Sequence, residues 1–124
     1  MEISKKEIEL FNKGVICFNN KEYYDAHEYW EELWLDYKLI DAKFIQGLIQ
    51  LAVSYFHFFN DNLKGARSML AKSQLKFSDY KVARGIDVKV LLTEMSKLQE
   101  SYQSMLEVVY FKKVYIIKLE LQNE

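Results

Sequence analysis

The chain has 124 residues, no proline, only four glycines and a formal net charge of -1. Half of the residues are hydrophobic and 15% are aromatic, which is too apolar a composition for a disordered chain. β-Sandwiches, barrels and collagen depend on the turns that proline and glycine supply, so the scarcity of both argues against those folds. Because the net charge is close to zero, no general basic surface is expected and we predict no DNA or RNA partner. The composition predicts one compact, all-α domain.

The first two predicted helices begin and end at recognisable signals. Ser4 and Glu7 have the spacing of a capping box, which places a helix start directly after Ser4. Two asparagines at positions 19 and 20 indicate a turn, and a second helix is predicted from about residue 21 to residue 37. The apolar side of this second helix carries Tyr23, Ala26, Trp30, Leu33, Trp34 and Tyr37.

Three more helices are predicted beyond residue 40. Asp41, Asn62 and Asp87 are placed to cap the third, fourth and fifth helices. A basic stretch at 76–85 separates the fourth helix from the fifth and is predicted to be irregular. The fifth helix has apolar residues spaced by four and three positions, as in a seam that packs on other helices: Leu91, Met95, Leu98, Tyr102 and Met105.

A faint internal repeat relates the first two helices to the next two. The segments 18–26 and 58–66 place Phe, Asn and Ala at matching points, with an offset of 40 residues. Each segment is predicted to be the hinge of a helical hairpin. The resulting architecture is a bundle of two αα-hairpins closed by a fifth helix, with a domain boundary at residue 107.

The segment 108–124 differs in character from the helices and is predicted to be a separate C-terminal arm. Residues 108–121 are rich in β-branched and aromatic types, and Tyr115, Ile117, Leu119 and Leu121 alternate with more polar residues as in a half-buried strand. Three arrangements fit this pattern: an arm laid over the bundle, a strand that pairs with a second copy in a homodimer, or a continuation of the fifth helix.

Charge is distributed unevenly along the chain. Residues 1–62 hold six Lys and eleven acidic residues, a net charge of -5, whereas residues 63–124 hold eleven Lys or Arg and seven acidic residues, a net charge of +4. The simpler interpretation is a set of solvated helix faces, and the alternative is an anion or RNA site on residues 64–84. The lone cysteine, Cys17, is predicted to be a half-buried structural thiol. The first residues lack a signal-peptide pattern, so we expect a cytoplasmic protein.

The third helix carries a narrow polar stripe. Residues 44–60 hold no formal charge, but Gln46, Gln50, Ser54 and His57 fall within an arc of roughly 80° at helical spacing. A narrow polar stripe belongs to a helix inside a bundle rather than in a bilayer, so no membrane association is expected.

A second set of polar side chains lies on the second helix and can face this stripe. Glu31 and Trp34 lie within about 40° of His27 on that helix, at the border of its apolar side. If the two helices are neighbours, His27 and Glu31 join Gln46, Gln50 and His57 in one cluster, and the aromatic residues around it are predicted to line a pocket: Trp30, Trp34 and Tyr55.

Three chemical interpretations of this cluster remain open. His27, Glu31 and His57 can bind a divalent metal and leave one coordination position open, although the H-E-x-x-E pattern lacks the second histidine of zinc proteases. Glu31 can instead orient His27 for metal-free acid–base chemistry. The third interpretation is a buried hydrogen-bond network that fixes how the helices pack.

Several of these residues stand in motifs that resemble domain-of-unknown-function family 309 (DUF309). The motifs are F-x-x-G at residues 11–14, A-H-E-x-x-E-x-x-W at 26–34, Q-G-L-I-Q at 46–50, His57, N-x-x-G-A at 62–66 and G-I-D at 85–87. The resemblance implies a small all-helical protein of bacterial or plastid type, located in the stroma if it is plastid-encoded. It implies no activity.

Taken together, the patterns favour a cytoplasmic helical-bundle protein that binds a small molecule or a protein partner. The alternative is a metal-dependent enzyme, such as a hydrolase, that uses His27, Glu31 and His57. Three glycines, at positions 14, 47 and 65, fall inside predicted helices, where each costs about 1 kcal/mol relative to alanine. We predict that they mark points of close approach between helices.

Overall fold

The computed structural model describes residues 4–105 and 114–122. These residues form five α-helices: α1 (Lys5–Asn19), α2 (Tyr23–Asp36), α3 (Ala42–Phe59), α4 (Leu63–Phe77) and α5 (Val88–Gln103). Two strands of two residues each, β1 (Val82–Ala83) and β2 (Ile86–Asp87), form an antiparallel ribbon just before α5. The predicted all-α class is confirmed, since this ribbon is the one sheet within the described residues.

The helices pack as two hairpins in series. α1 packs against α2 and α3 against α4, while α2 contacts α3 and α5 packs on α4. The two hinges have the same geometry at an offset of 40 residues. Lys21 and Asp61 both adopt a left-handed backbone, with φ of 64° and 61°. The N–H of Glu22 donates to the carbonyl of Cys17 at 2.8 Å, and the N–H of Asn62 donates to that of His57 at 2.9 Å. The sequence repeat therefore corresponds to a repeated turn.

Three of the predicted helix starts are confirmed by their capping bonds. The Glu7 N–H donates to Ser4 Oγ at 3.1 Å, and the Ser4 N–H donates to the Glu7 carboxylate at 2.8 Å, which completes the capping box. The side chain of Asn62 accepts from the Gly65 N–H at 2.8 Å, and that of Asp87 accepts from the Val90 N–H at 3.2 Å.

Asp41 precedes α3 as predicted, but its side chain does not cap the helix. Its carboxylate instead accepts two hydrogen bonds from the Arg84 guanidinium, at 2.7 and 3.1 Å. Arg84 and Gly85 form the turn of the β-ribbon with φ of 49° and 79°, and the guanidinium also lies 5.3 Å from the centre of the Phe11 ring. The stretch predicted to be irregular thus contains the last residues of α4 and a turn tied to the start of α3.

Two of the helical glycines mark close helix contacts. A Cβ atom on Gly14 would lie 2.1 Å from Nε1 of Trp30, and one on Gly47 would lie 2.8 Å from the ring of Phe77. The prediction holds for these two positions. Gly65 differs, because the group nearest to it is the side chain of Asn62, the residue that caps its own helix.

The described part of the arm, residues 114–122, forms neither helix nor strand and lies over the bundle. The predicted alternation is confirmed for residues 117–120, where Ile117 and Leu119 are buried and Lys118 and Glu120 are exposed. It does not extend further, because Tyr115 and Ile116 are both half-buried and Leu121 is 38% exposed. Side chains of the bundle bind its backbone. Tyr55 Oη donates to the carbonyl of Tyr115 at 2.6 Å and accepts from the Ile117 N–H at 2.9 Å.

A second clamp holds the arm further along. The side-chain amide of Asn19 donates to the Leu119 carbonyl at 2.9 Å and accepts from the Leu119 N–H at 2.8 Å, as a neighbouring strand would. The N–H of Gln122 then donates to the carbonyl of Gly85 at 2.7 Å.

Of the three arrangements considered for the arm, residues 114–122 adopt the one laid over their own bundle. Continuation of α5 does not occur in these residues, because α5 ends at Gln103 and residues 114–122 are not helical. The homodimer through the arm stays a prediction. Residues 108–113 and the predicted boundary at residue 107 lie outside the described residues.

Candidate functional site

His27 and Glu31 form the half of the predicted cluster that lies on α2. Nε2 of His27 is 3.0 Å from the Glu31 carboxylate, one helical turn away, and Nδ1 is 3.3 Å from the carbonyl of Tyr24. The imidazole is 20% exposed and the Glu31 side chain is 48% exposed. The pair therefore sits at the edge of the bundle, where both side chains are open to solvent on one side.

The polar stripe of α3 is divided between two environments. Ser54 is fully buried, and its hydroxyl donates to the Ala66 carbonyl at 2.7 Å and lies 3.0 Å from the Tyr102 hydroxyl. Gln46, Gln50 and His57 are only half-buried. Ser54 therefore faces α4 and α5 and does not belong to the predicted cluster.

Gln50 carries the one unsatisfied amide oxygen found in the stripe. Its Oε1 atom is closed off from solvent and has no hydrogen-bond partner among the described residues. An unpaired buried acceptor costs roughly 1–3 kcal/mol, so a hydrogen-bond donor at this oxygen would stabilise the protein.

Aromatic side chains connect α2 and α3 at this place. The Tyr24 ring lies 5.5 Å from the His27 ring and 5.6 Å from the Phe56 ring, and Phe56 lies 6.3 Å from His57. The ring contacts thus run from His27 through Tyr24 and Phe56 to His57. Tyr24 and Phe56 were not predicted as site residues, although each stands on the same helix as a predicted histidine, three positions and one position away.

The predicted metal ligands are not brought together. Within residues 4–105 and 114–122, no three His, Cys, Asp or Glu side chains are grouped so that they could hold a metal ion. Glu31 pairs with His27, whereas Nδ1 of His57 lies 3.4 Å from the side-chain amide of Asn62. The rings of Tyr24 and Phe56, 5.6 Å apart, link the His27 side chain to the His57 side chain, and the two histidines have separate polar partners.

Two of the three predicted pocket-lining residues belong to the core instead. Trp30 is fully buried, and its indole N–H donates to the Phe11 carbonyl at 3.2 Å. Tyr55 is also fully buried and clamps the arm. Trp34 is 37% exposed, so it alone keeps a surface position.

The electrostatic character of this part of the molecule is acidic. α2 contains five acidic residues and no Lys or Arg, and α3 contains a single lysine and no acid. Tyr24 is 53% exposed, and the Glu28 carboxylate that hydrogen-bonds it raises the pKa of its phenol. We refer to the following residues as the acidic–aromatic face: Tyr24, His27, Glu28, Glu31, Trp34 and Phe56.

Two αα-hairpins closed by a fifth helix, with an acidic–aromatic face on the α2–α3 contact, define a small helical-bundle domain. Residues 11–69, just under half of the chain, match the family model described as "Domain of unknown function (DUF309)", so the predicted resemblance to that family is confirmed over this segment. The matched segment runs from α1 into α4 and includes both hinges, whereas the G-I-D motif at 85–87 lies beyond it. No curated protein matches the chain. Among the described residues, no helix combines the length and apolar character that crossing a bilayer requires.

Proposed function

We propose that this protein is an interaction module whose acidic–aromatic face binds a basic segment of a partner protein. The observation that carries the proposal is the combination, on one face, of exposed aromatic rings with carboxylates that have no lysine or arginine partner in the described residues. Tyr24, Trp34 and Glu31 are the clearest members, each between about one third and just over one half exposed.

The chemistry of this face fits lysine and arginine side chains. Aromatic rings and carboxylates attract cations, and rings of Tyr and Trp are enriched in protein interfaces. Carboxylates such as Glu28 and Glu31 would steer a basic segment toward the rings, and the rings would supply the contact area.

The first experiment measures binding of a short peptide of alternating arginine and lysine, with a glutamate peptide of equal length as the comparison. Trp34 is partly exposed and Trp30 is fully buried, so a change in fluorescence reports on the face. We expect the basic peptide to bind at low ionic strength and to bind more weakly as salt screens the charges. The glutamate peptide should not bind.

Matched variants locate the binding. The double variant Glu28→Gln with Glu31→Gln should weaken binding of the basic peptide roughly tenfold. The control, Glu100→Gln with Glu120→Gln, changes the net charge equally at exposed positions on α5 and the arm. Equal weakening by both double variants, or no binding of the basic peptide at low salt, would refute the proposal.

We further propose that the protein acts in the cytoplasm, or in the stroma if it is plastid-encoded. Cys17, the one cysteine of the chain, is a free and half-buried thiol, which suits a reducing compartment. Fractionation of cells that carry the tagged chain tests this, and recovery of the tag outside these compartments would contradict it.

A further inference from the structure

A cleft of about 600 Å³ lies between the loop that follows α4 and one side of α5, and none of its lining residues belongs to the acidic–aromatic face. Its apolar lining includes Tyr80, Val82 and Leu92. Val82 is 56% exposed, so its side chain is accessible to a ligand. The size is within the range of roughly 300–1,000 Å³ that is typical of small-molecule sites.

A hydrogen bond and a ring contact hold the loop that forms one wall of this cleft. The Val88 N–H donates to the carbonyl of Lys81 at 2.9 Å, which ties the loop to the start of α5. The Tyr80 ring packs edge-to-face on the buried ring of Phe44 at 5.5 Å. The loop is therefore anchored to both α3 and α5, and the cleft does not depend on a free surface loop.

The charges around the cleft are unbalanced. Lys81 and Lys89 both line it, and within the described residues neither has a carboxylate in ion-pair contact. The neighbouring cations differ, because Lys43 pairs with Asp79 at 2.6 Å and Arg84 pairs with Asp41.

Three other polar residues of the cleft, Asp87, Thr93 and Ser96, already make hydrogen bonds. Asp87 accepts the capping bond from the Val90 N–H. The hydroxyls of Thr93 and Ser96 donate to carbonyls within α5, at 3.0 and 3.1 Å. The two lysines are therefore the cations free to recognise an anionic ligand. Lys89 lies in the first turn of α5, where the helix dipole also favours negative charge.

We propose that this cleft binds a small amphiphilic carboxylate. Its carboxylate group lies between Lys81 and Lys89, and its apolar body covers Val82, Leu92 and the edge of Tyr80. The site is independent of the proposed function, since it uses α5 and its preceding loop rather than α2 and α3.

The test uses the full chain and three probes that separate charge from apolar contact. 4-Phenylbutyrate has both features, 4-phenylbutylamine has the same body with the opposite charge, and acetate has the charge alone. Each is titrated to about 10 mM, a range suited to weak ligands of this size, while backbone amide signals are followed by NMR. We expect 4-phenylbutyrate alone to shift signals, and the shifts to centre on residues 80–82 and 89–96.

Variants distinguish a built site from a general charge effect. Lys81→Gln with Lys89→Gln should raise the dissociation constant for 4-phenylbutyrate roughly fivefold, since each exposed charge contributes modestly. The control variant, Lys64→Gln with Lys72→Gln, removes the same charge from the exposed side of α4 and should leave the dissociation constant for 4-phenylbutyrate unchanged. Val82→Ser removes an exposed apolar contact and should weaken binding without affecting the fold.

Four results would overturn the inference. They are equal binding of the amine, shifts spread over the surface, equal weakening by both lysine double variants, and no shift with 4-phenylbutyrate at all. None of these variants alters the acidic–aromatic face. A negative result for the cleft therefore does not count against the proposed binding of a basic segment to that face, which is tested separately.

Discussion

Gly14→Ala is expected to destabilise the protein strongly, although alanine is the better helix former. The new methyl group would lie 2.1 Å from Nε1, 2.4 Å from Cδ1 and 2.5 Å from Cε2 of Trp30, whereas ordinary contacts begin near 3.4 Å. Trp30 is fully buried against the Phe18 ring, so it cannot move aside freely.

The expected size follows from three contributions. Overpacking costs about 1–3 kcal/mol. Displacing the indole also breaks its bond to the Phe11 carbonyl, which leaves a buried donor unpaired at a cost of about 1–3 kcal/mol. Alanine recovers about 1 kcal/mol of helix propensity. The net loss in the free energy of unfolding is about 3 kcal/mol, which lowers the midpoint of thermal unfolding by about 10 °C in a chain of this length.

Equilibrium urea unfolding, followed by tryptophan fluorescence, measures this loss. Gly65→Ala is the matched control, because its new methyl group meets the exposed side chain of Asn62 rather than a buried ring. The loss of the Asn62 capping bond, about 1 kcal/mol, is offset by the helix propensity of alanine, so we expect a change of about 1 kcal/mol or less. In a Trp30→Phe background the smaller ring leaves room for the methyl group, so Gly14→Ala should cost less there. An unchanged midpoint for Gly14→Ala, or an equal cost in both backgrounds, would show that the contact with Trp30 is not the cause.

Three further predictions concern the arm and the buried tyrosines. Tyr55→Phe leaves the buried Ile117 N–H without an acceptor and should cost about 2 kcal/mol in urea unfolding; a loss below the error of the measurement would contradict the clamp. Asn19→Ala removes both bonds to the Leu119 backbone, so hydrogen exchange at the Leu119 amide should accelerate while α3 amides stay protected, and uniform acceleration would indicate global destabilisation instead. Burial raises the pKa of three tyrosine phenols above their ordinary value near 10, so the folded state binds these protons more tightly than the unfolded state. Their full contribution to the free energy of unfolding is therefore present below about pH 10, and it should fall as the pH rises further. The three residues are Tyr23, Tyr55 and Tyr102. The test is to measure the urea midpoint at rising pH together with the phenolate absorbance, and a midpoint that stays constant through alkaline pH would refute the prediction.

Most of the helical architecture could be predicted from local signals. Capping residues such as Ser4, Asn62 and Asp87 begin helices in the structure, and the spacing of apolar residues identified the faces that pack. The repeat at an offset of 40 residues predicted two hinges, which have the same backbone geometry. These features depend on neighbours within about five positions, so the sequence displays them directly.

Features that depend on distant partners could not be predicted in the same way. The Asp41 carboxylate is placed to cap α3, but Arg84, which is 43 positions away, offers it two charged hydrogen bonds, and nothing local signals that competition. The β-ribbon is too short for any alternation of polar and apolar residues to show. Its signal lies instead in Gly85, which suits the left-handed turn.

Helical spacing predicts which side chains meet within one helix, but not which residues meet across two helices. Helical spacing brought His27 and Glu31 together, and the structure has them in contact at 3.0 Å. An arc of roughly 80° is too wide to decide which neighbour each residue faces, so Ser54 was grouped with the stripe although it contacts α4 and α5. The position of Tyr24 against Phe56 depends on how α2 and α3 pack, which the sequence alone does not specify.

The arm has a consequence for the order in which the molecule folds. The hairpins join residues that are near in sequence, whereas the clamps join Asn19 to Leu119, 100 positions apart, and Tyr55 to Ile117, 62 positions apart. Closing such long loops is slow compared with forming helical hairpins, so the helices can assemble before the arm docks. Until it docks, the side chains of Tyr55 and Asn19 lack their backbone partners in the arm and can bind other chains instead. The speed of this last step therefore sets how long the new protein is exposed to misassociation.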